Sequence, residues 1–255
     1  SKGHLIYTRG GTIFAAPFDP VRLEMTGQPA PVLEGVVSLG GTAGNGVTQL
    51  AFSSGGTLAY LPGEGAAWGW RMAQADRSGA GSLLPTENKI YINPRLSPDG
   101  RQIAVQIVGA TGFDIWVYEI ERGAMSRLTF EGENNVMPAW TPDGRRIAFA
   151  SDRDGSAPNI YWKRADGAGA AEQLTTSKNV QRPSSFSQDG KLLAFWEQDP
   201  ETDWDLWVLP LEGERKPELF LATPAIEVRP VFSPDGRWIA YGSNESGRFE
   251  VYVRP

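Results

Sequence analysis

A four-residue turn motif returns through this sequence at an almost constant interval. Ser-Pro-Asp-Gly occurs at 97–100 and 233–236, and the variants Thr-Pro-Asp-Gly and Ser-Gln-Asp-Gly occur at 141–144 and 187–190. The intervals are 44, 46 and 46 residues, and a weaker copy, Ser-Ser-Gly-Gly at 53–56, lies 44 residues before the first. A period of this length indicates a repeat fold, in which one small unit is copied along the chain.

Each motif has the composition of a tight turn between two strands. Pro presets φ at the first central position, Asp suits the second, and Gly adopts the left-handed conformation that follows. Apolar segments flank each motif, and two further alternating segments follow, for example at 114–118 and 125–129. Four short strands in about 44 residues, without helical periodicity, predict one blade of a β-propeller. A sandwich or barrel would not require such a returning four-strand unit.

We therefore predict an all-β fold, a six-bladed β-propeller of four-stranded antiparallel blades, as a single domain over 1–255. The predicted blade units are roughly 1–35, 47–85, 92–130, 136–176, 182–222 and 228–255. The innermost strands are expected at about 48–52, 93–96, 137–140, 184–186 and 229–232. The first unit lacks an innermost strand and the last lacks a fourth, so both terminal blades are predicted to be incomplete, as expected of a fragment of a longer protein.

Composition excludes several kinds of site. The sequence has no cysteine, which removes thiolate nucleophiles, disulfides and cysteine-bound zinc. Its one histidine, His4, stands near the start, a poor position for a catalytic triad or a histidine metal site. A net charge of -6 argues against nucleic acid as a partner, and the lack of a run of 18 apolar residues argues against membrane insertion.

The strand order predicts where a ligand would bind. Loops that enter the innermost strands share one face with loops between second and third strands, opposite the Asp-Gly turns. Because loops on a rigid scaffold carry function, this loop face and the channel mouth are the predicted binding surface. The candidate ligand-binding residues are Asn45, Asn88, Tyr91, Asn134, Asn135, Asn179, Arg182, Glu227 and Arg229. The turn aspartates Asp99, Asp143, Asp189 and Asp235 are interpreted as structural, since such turns need Asp for backbone hydrogen bonds.

Side chains with oxygen atoms near the channel mouth also suggest a metal site. Ca²⁺ binds carboxylate and amide oxygens, and no other cofactor is expected. The candidate ligands are Glu133, Asn134, Asn135 and Glu227. The acidic segment 197–203 lacks the Gly-centred spacing of a calcium loop and is interpreted as solvated.

These repeats also resemble a known family. The pattern SPDG-R-x-I-A, with Asp-Ile-Trp, Asn-Ile-Tyr or Asp-Leu-Trp in the third strand and Arg-Leu-Thr or Gln-Leu-Thr in the fourth, resembles TolB-like, or WD-repeat-like, propeller repeats. The order of segments is similar to the C-terminal propeller of bacterial serine/threonine protein kinases, and also to propellers that precede prolyl-oligopeptidase-like hydrolases. The resemblance implies a bacterial protein, extracytoplasmic or periplasmic, or the soluble part of a larger one. Neither a kinase motif nor a nucleophile elbow occurs here, so neither activity carries over.

Two functions follow from these observations. The first is a non-catalytic module whose loop face binds a protein, a peptide or a small molecule, within a larger sensor or scaffold protein. The alternative is a calcium-assisted hydrolase or lyase with its site at the channel mouth. The sequence favours the first, because it has no cysteine and only one histidine, the residue types that many catalytic sites use.

Overall fold

The computed structural model divides the chain into two compact units, 1–94 and 95–255, which are described in turn. The structure describes residues 3–9, 12–19, 21–36, 38–39, 47–48, 50–52, 57–62, 70–76, 79–109, 112–155 and 157–255. The weak motif copy at 53–56 and the candidate Asn45 lie outside these residues. None of the described segments is a helix long and apolar enough to cross a membrane.

The first unit contains two blades and a small two-stranded ladder. Its strands are β1 (Gly3–Arg9), β2 (Thr12–Asp19), β3 (Glu24–Met25), β4 (Ala30–Leu33), β5 (Ser38–Leu39), β6 (Val47–Thr48), β7 (Leu50–Phe52), β8 (Leu58–Tyr60), β9 (Ala73–Ala75) and β10 (Gly81–Leu83). In blade 1, β1 pairs with one edge of β2, while β3 and β4 both pair with the other, so the sheet is three strands wide. Blade 2 has the order β7-β8-β9-β10, and β5 pairs with β6.

The second unit contains the four remaining blades, and the unit boundary falls within its first strand. Blade 3 has β11 (Tyr91–Leu96), β12 (Gln102–Val108), β13 (Phe113–Glu119) and β14 (Ala124–Arg127), and blade 4 has β15 (Asn135–Trp140), β16 (Arg146–Ser151), β17 (Asn159–Arg164) and β18 (Glu172–Gln173). Blade 5 has β19 (Gln181–Phe186), β20 (Leu192–Asp199), β21 (Asp203–Pro210) and β22 (Glu218–Leu221), and blade 6 has β23 (Glu227–Phe232), β24 (Ile239–Ser243) and β25 (Glu250–Arg254). Each sheet follows chain order, because every connection is a hairpin.

The Asp-Gly turns fold as their sequence predicts. Their glycines, Gly100, Gly144, Gly190 and Gly236, all have positive φ, between 68° and 74°. In each turn Asp Oδ1 accepts a 2.6 Å hydrogen bond from the Ser or Thr hydroxyl and another from a backbone N–H after the glycine. The hydroxyl donors are the main reason that the pKa of all four carboxyl groups lies below its usual value, at about 2 for Asp235. The structural interpretation of these aspartates is confirmed.

The innermost strands of blades 4, 5 and 6 each contain a β-bulge. In β15 the pairing register shifts between Val136 and Ala139. In β23 it shifts between Val228 and Val231. Met137 and Arg229, within these bulges, have φ of 57°, a conformation that few residues other than glycine adopt. Bulges of this kind bend a strand and change the direction of one side chain.

The hydrophobic core of the second unit lies between adjacent blades. Ile115 and Val117 of blade 3 belong to one cluster with Ile147 and Phe149 of blade 4. A second cluster joins Ile160 of blade 4 to Leu193 and Phe195 of blade 5. A fully buried side chain of this size contributes about 1.5–3 kcal/mol, so the inter-blade layers are the main source of stability in this unit.

The fold class predicted from the repeat is confirmed: the chain is an all-β six-bladed propeller of antiparallel blades, with incomplete first and last blades. The strand bounds need one correction. The innermost strands of blades 3 to 6 begin at Tyr91, Asn135, Gln181 and Glu227, two or three residues earlier than expected. Their first residues therefore pair within the sheet and are buried, instead of lying in loops.

Candidate functional site

The loops that enter the innermost strands are held by side chains from the end of the second strand. In blade 4, Asp152 Oδ1 accepts hydrogen bonds from the backbone N–H groups of Glu133 and Asn134, both at 2.9 Å. Its Oδ2 accepts a third, at 2.8 Å, from Nδ2 of Asn134. In blade 5, Asn179 Nδ2 donates to Glu197 at 3.0 Å. The candidates Asn134 and Asn179 are thus bonded to side chains at the end of the second strands and hold these two loops in place.

The first residues of the innermost strands also bond within the protein. Asn135 is completely buried, and its Oδ1 accepts hydrogen bonds from Ser151 and Arg153. Tyr91 is 1% exposed and donates to the carbonyl oxygen of Glu87. Gln181 accepts a hydrogen bond from the Thr175 hydroxyl, which itself accepts one from the N–H of Ile160. These side chains connect neighbouring strands and do not point freely toward a ligand.

Two buried carboxylates each retain an oxygen without a partner. Glu227 is completely buried; Oε1 accepts a hydrogen bond from Thr223, but Oε2 has no partner among the described residues. Asp205 is 3% exposed; Thr202 donates to Oδ2, and Oδ1 has no partner there. Burial is the main reason that the pKa of both groups is raised, and the negative charge of Asp205 adds to the effect at Glu227.

Arg182 and Arg229 differ from the other candidates, because they are half-buried and their guanidinium groups lie against aromatic rings. Arg182 Cζ lies 4.8 Å from the ring centre of Trp204, and Arg229 Cζ lies 6.0 Å from that of Trp196. The two indole rings meet edge to face at 6.3 Å. Both guanidinium groups therefore lie within cation–π distance of an indole ring.

The candidate metal ligands lie on two different blades. Glu133 is exposed and precedes blade 4 together with Asn134 and Asn135, whereas Glu227 begins the innermost strand of blade 6. Within the described ranges, no group of three or more His, Asp or Glu side chains is placed to hold a metal ion. Ligation by these four residues stays a prediction.

The last candidate, Asn88, is exposed and belongs to the segment before β11.

Sequence reasoning missed Arg95, whose charge interacts with that of Arg229. The repeat gave no signal for it, because Arg95 is the fifth residue of β11, whereas Arg182 is the second of β19 and Arg229 the third of β23.

A groove of about 1050 Å³ opens on the Asp-Gly-turn side of the second unit. The turns of blades 4 and 5 line it, with Trp162 on its wall. Arg146 lies over that ring at 4.2 Å, and Glu172 accepts hydrogen bonds from the Trp162 indole and from Arg215. The polar groups around Trp162 are therefore paired with one another.

A family model described as the TolB beta propeller domain matches residues 74–203, just over half of the sequence. The chain belongs to the TolB-type β-propeller family. The resemblance inferred from the repeat motifs is confirmed. No curated protein matched the sequence.

Solved structures agree on the fold of this TolB-type chain. TolB from Acinetobacter baumannii is 22% identical, with a TM-score of 0.75 over 95% of this chain and 56% of that one. A putative TolB from Agrobacterium tumefaciens is 24% identical, with a TM-score of 0.70 over 98% and 85%. A chain of a nidogen/laminin complex is 15% identical, with a TM-score of 0.70 over 97% and 88%.

The present chain thus spans just over half the length of the Acinetobacter TolB structure. Chains of a lyase and of peptidases are also among the similar structures. Likeness of fold alone does not separate a binding module from an enzyme.

Proposed function

We propose that this TolB-type propeller is a non-catalytic recognition module that binds a protein or peptide through the loop face of its second unit. One observation carries the proposal: Trp204 is half-buried at the loop-face end of β21, with the Arg182 guanidinium stacked on its ring. Trp and Arg are the residue types that contribute most binding energy in protein interfaces.

The clamped loops on this face support this function. Glu197 and Asp152 hold the loops that precede blades 5 and 4 through hydrogen bonds of 2.8–3.0 Å. A surface that is ordered before binding loses less conformational entropy when a partner binds. The nidogen/laminin complex supplies a similar fold in a protein complex.

Selection of peptides against the protein tests the proposal. A phage-displayed dodecapeptide library is panned on the immobilised chain, and an enriched peptide is synthesised and titrated by fluorescence anisotropy. Trp204→Ala is expected to weaken binding by about tenfold or more, since interface tryptophans commonly contribute over 1 kcal/mol. Trp238→Ala is the matched control, because Trp238 adjoins an Asp-Gly turn on the opposite side and lines a separate groove.

Equal affinities for the wild type and Trp204→Ala would contradict the proposed surface. Failure to enrich any peptide that binds in solution would count against protein or peptide recognition itself. The calcium-assisted alternative has a separate test: Ca²⁺ is expected to raise the melting temperature, and Glu227→Gln to abolish that shift, if Glu227 is a ligand.

A further inference from the structure

Three arginines of the second unit lie on innermost strands and influence one another. Arg95 belongs to β11, Arg182 to β19 and Arg229 to β23, and all three are half-buried. Burial lowers the pKa of each guanidinium group. For Arg229 burial acts together with the positive charges of Arg95 and Arg182, and the pKa falls to about 10. Arg182 and Arg229 are also joined by geometry, because the rings on which they lie, Trp204 and Trp196, meet edge to face at 6.3 Å. These two like charges therefore share one partly desolvated region.

No carboxylate of the described residues neutralises Arg182 or Arg229 by an ion pair. Nε of Arg182 is buried and lacks a hydrogen-bond partner there. A buried charge costs free energy unless it is paired, and an unpaired buried polar group in a native protein commonly marks the place of a water or an ion. The chain as a whole carries a net charge of -6, so this positive cluster opposes the overall charge.

The aromatic neighbours hold the guanidinium groups without using their N–H donors. Trp204 stacks on Arg182, and Trp196 lies beneath Arg229 at 6.0 Å. Contact with a ring face occupies the plane of a guanidinium group but leaves its edges free to donate. Those edges form a fork of parallel N–H groups that matches a carboxylate or a phosphate.

The backbone of Arg229 is strained in a way that directs its side chain. Its φ is 57°, it lies in the bulge of β23, and Pro230 follows it. A non-glycine residue in this conformation costs about 1–3 kcal/mol, and such strain clusters at ligand-binding positions. The bulge orients Arg229 at this cost, and no carboxylate of the described part of the chain forms an ion pair with it in return.

We propose that Arg182 and Arg229 together bind an oxyanion, a carboxylate or phosphate group of the ligand. The inference rests on the proposed function in one respect: the protein or peptide partner would carry this carboxylate or phosphate group. A free small anion would bind to the same arginines. The two charges provide charge-assisted hydrogen bonds, which are about twice as strong as neutral ones. The oxyanion removes the repulsion within the cluster.

Titration calorimetry at constant ionic strength tests the site with three probes: inorganic phosphate, citrate, and acetylated hexaglutamate with hexaglutamine as its neutral control. The wild type is expected to bind at least one of the anionic probes. The double variant Arg182→Gln/Arg229→Gln is expected to bind it about tenfold more weakly or worse. Arg101→Gln, the same charge change in an exposed Asp-Gly turn, is expected to leave the affinity unchanged.

Thermal melting shows whether the double variant is folded. Without anions its melting temperature is expected to equal or exceed that of the wild type, because two mutually repelling charges are removed. Added phosphate should then raise the melting temperature of the wild type more than that of the variant. Tight binding of phosphate or citrate identifies a small anion, whereas preference for hexaglutamate over hexaglutamine identifies a peptide carboxylate.

Two results would overturn the inference: equal binding of all anionic probes by the wild type and the double variant, or an equal loss in Arg101→Gln. Neither result touches the proposed function, which is tested with selected peptides and Trp204→Ala. Conversely, phosphate binding that depends on Arg182 and Arg229 would stand even if no peptide partner were found.

Discussion

The indole N–H of Trp140 donates a hydrogen bond of 2.9 Å to the backbone carbonyl of Arg95, between blades 4 and 3. Trp140 is only 8% exposed and closes the end of β15. The bond fixes the backbone of β11 at Arg95 against the innermost strand of blade 4.

Trp140→Phe is expected to lower the free energy of unfolding by about 1–3 kcal/mol, because it leaves the Arg95 carbonyl without this donor. Urea denaturation followed by tryptophan fluorescence measures the change. Trp162→Phe is the comparison: its indole donates to Glu172, whose side chain is half exposed, so water replaces the lost bond. An equal loss in both variants would show that ring volume, and not the hydrogen bond, sets the cost.

Thr175→Val is expected to destabilise the protein by about 2–3 kcal/mol. The Thr175 side chain accepts a hydrogen bond from the N–H of Ile160 and donates one to Gln181, in a buried position. Valine has the same shape but leaves both groups unpaired. Thr175→Ser keeps the hydroxyl and should recover most of the stability in chemical denaturation. A serine variant as unstable as the valine variant would contradict this explanation.

Gly112→Ala is expected to cost about 1–3 kcal/mol, because there is no room for the new carbon. A Cβ at this position would lie 2.0 Å from the carbonyl oxygen of Glu133, which accepts the N–H of Phe113. Gly109→Ala is the matched control in the same loop, since its Cβ would make only ordinary contacts at 3.5–3.6 Å. Melting temperatures of the two variants are compared; equal values would show that the loop adapts.

Glu227→Gln tests the effect of the buried carboxylate on pH dependence. Burial raises the pKa of Glu227 in the folded protein, so the folded state holds a proton more tightly than the unfolded state. Its ionisation therefore destabilises the fold as the pH rises above the usual value of about 4.5. The uncharged variant avoids this penalty.

The stability of Glu227→Gln relative to the wild type is thus expected to increase between about pH 4 and pH 7. Chemical denaturation at several pH values measures the difference in the free energy of unfolding between this variant and the wild type. The other carboxylates contribute equally to both proteins, so their effects cancel in this difference. Glu121→Gln, an exposed position, serves as the control for the change in charge. Parallel pH profiles for Glu227→Gln and wild type would refute the expectation.

The repeat was readable from the sequence because its turns are local. Pro, Asp and Gly in consecutive positions determine the hairpin at residues such as 141–144 without help from distant residues. Blade number and the incomplete terminal blades followed from counting those turns and the segments around them.

The candidate site was less predictable, since burial depends on partners far away in sequence. Asn135 and Glu227 have the polar side chains of ligand-binding residues, yet both are completely buried at the starts of strands. The three arginines occupy different positions along their strands, the fifth in β11, the second in β19 and the third in β23. The repeat therefore does not align them, and only the folded arrangement of the strands places Arg182 and Arg229 on adjoining indole rings.

The bulged backbone of the innermost strands has a consequence for how such proteins diverge. At the same place before a proline, Asn93, Met137 and Arg229 all adopt positive φ, between 51° and 57°. One backbone shape thus accepts an amide, a thioether or a guanidinium side chain. Asn93 and Met137 are buried at this place and Arg229 is half-buried, so one position per blade takes a polar, an apolar or a charged residue without any insertion or deletion.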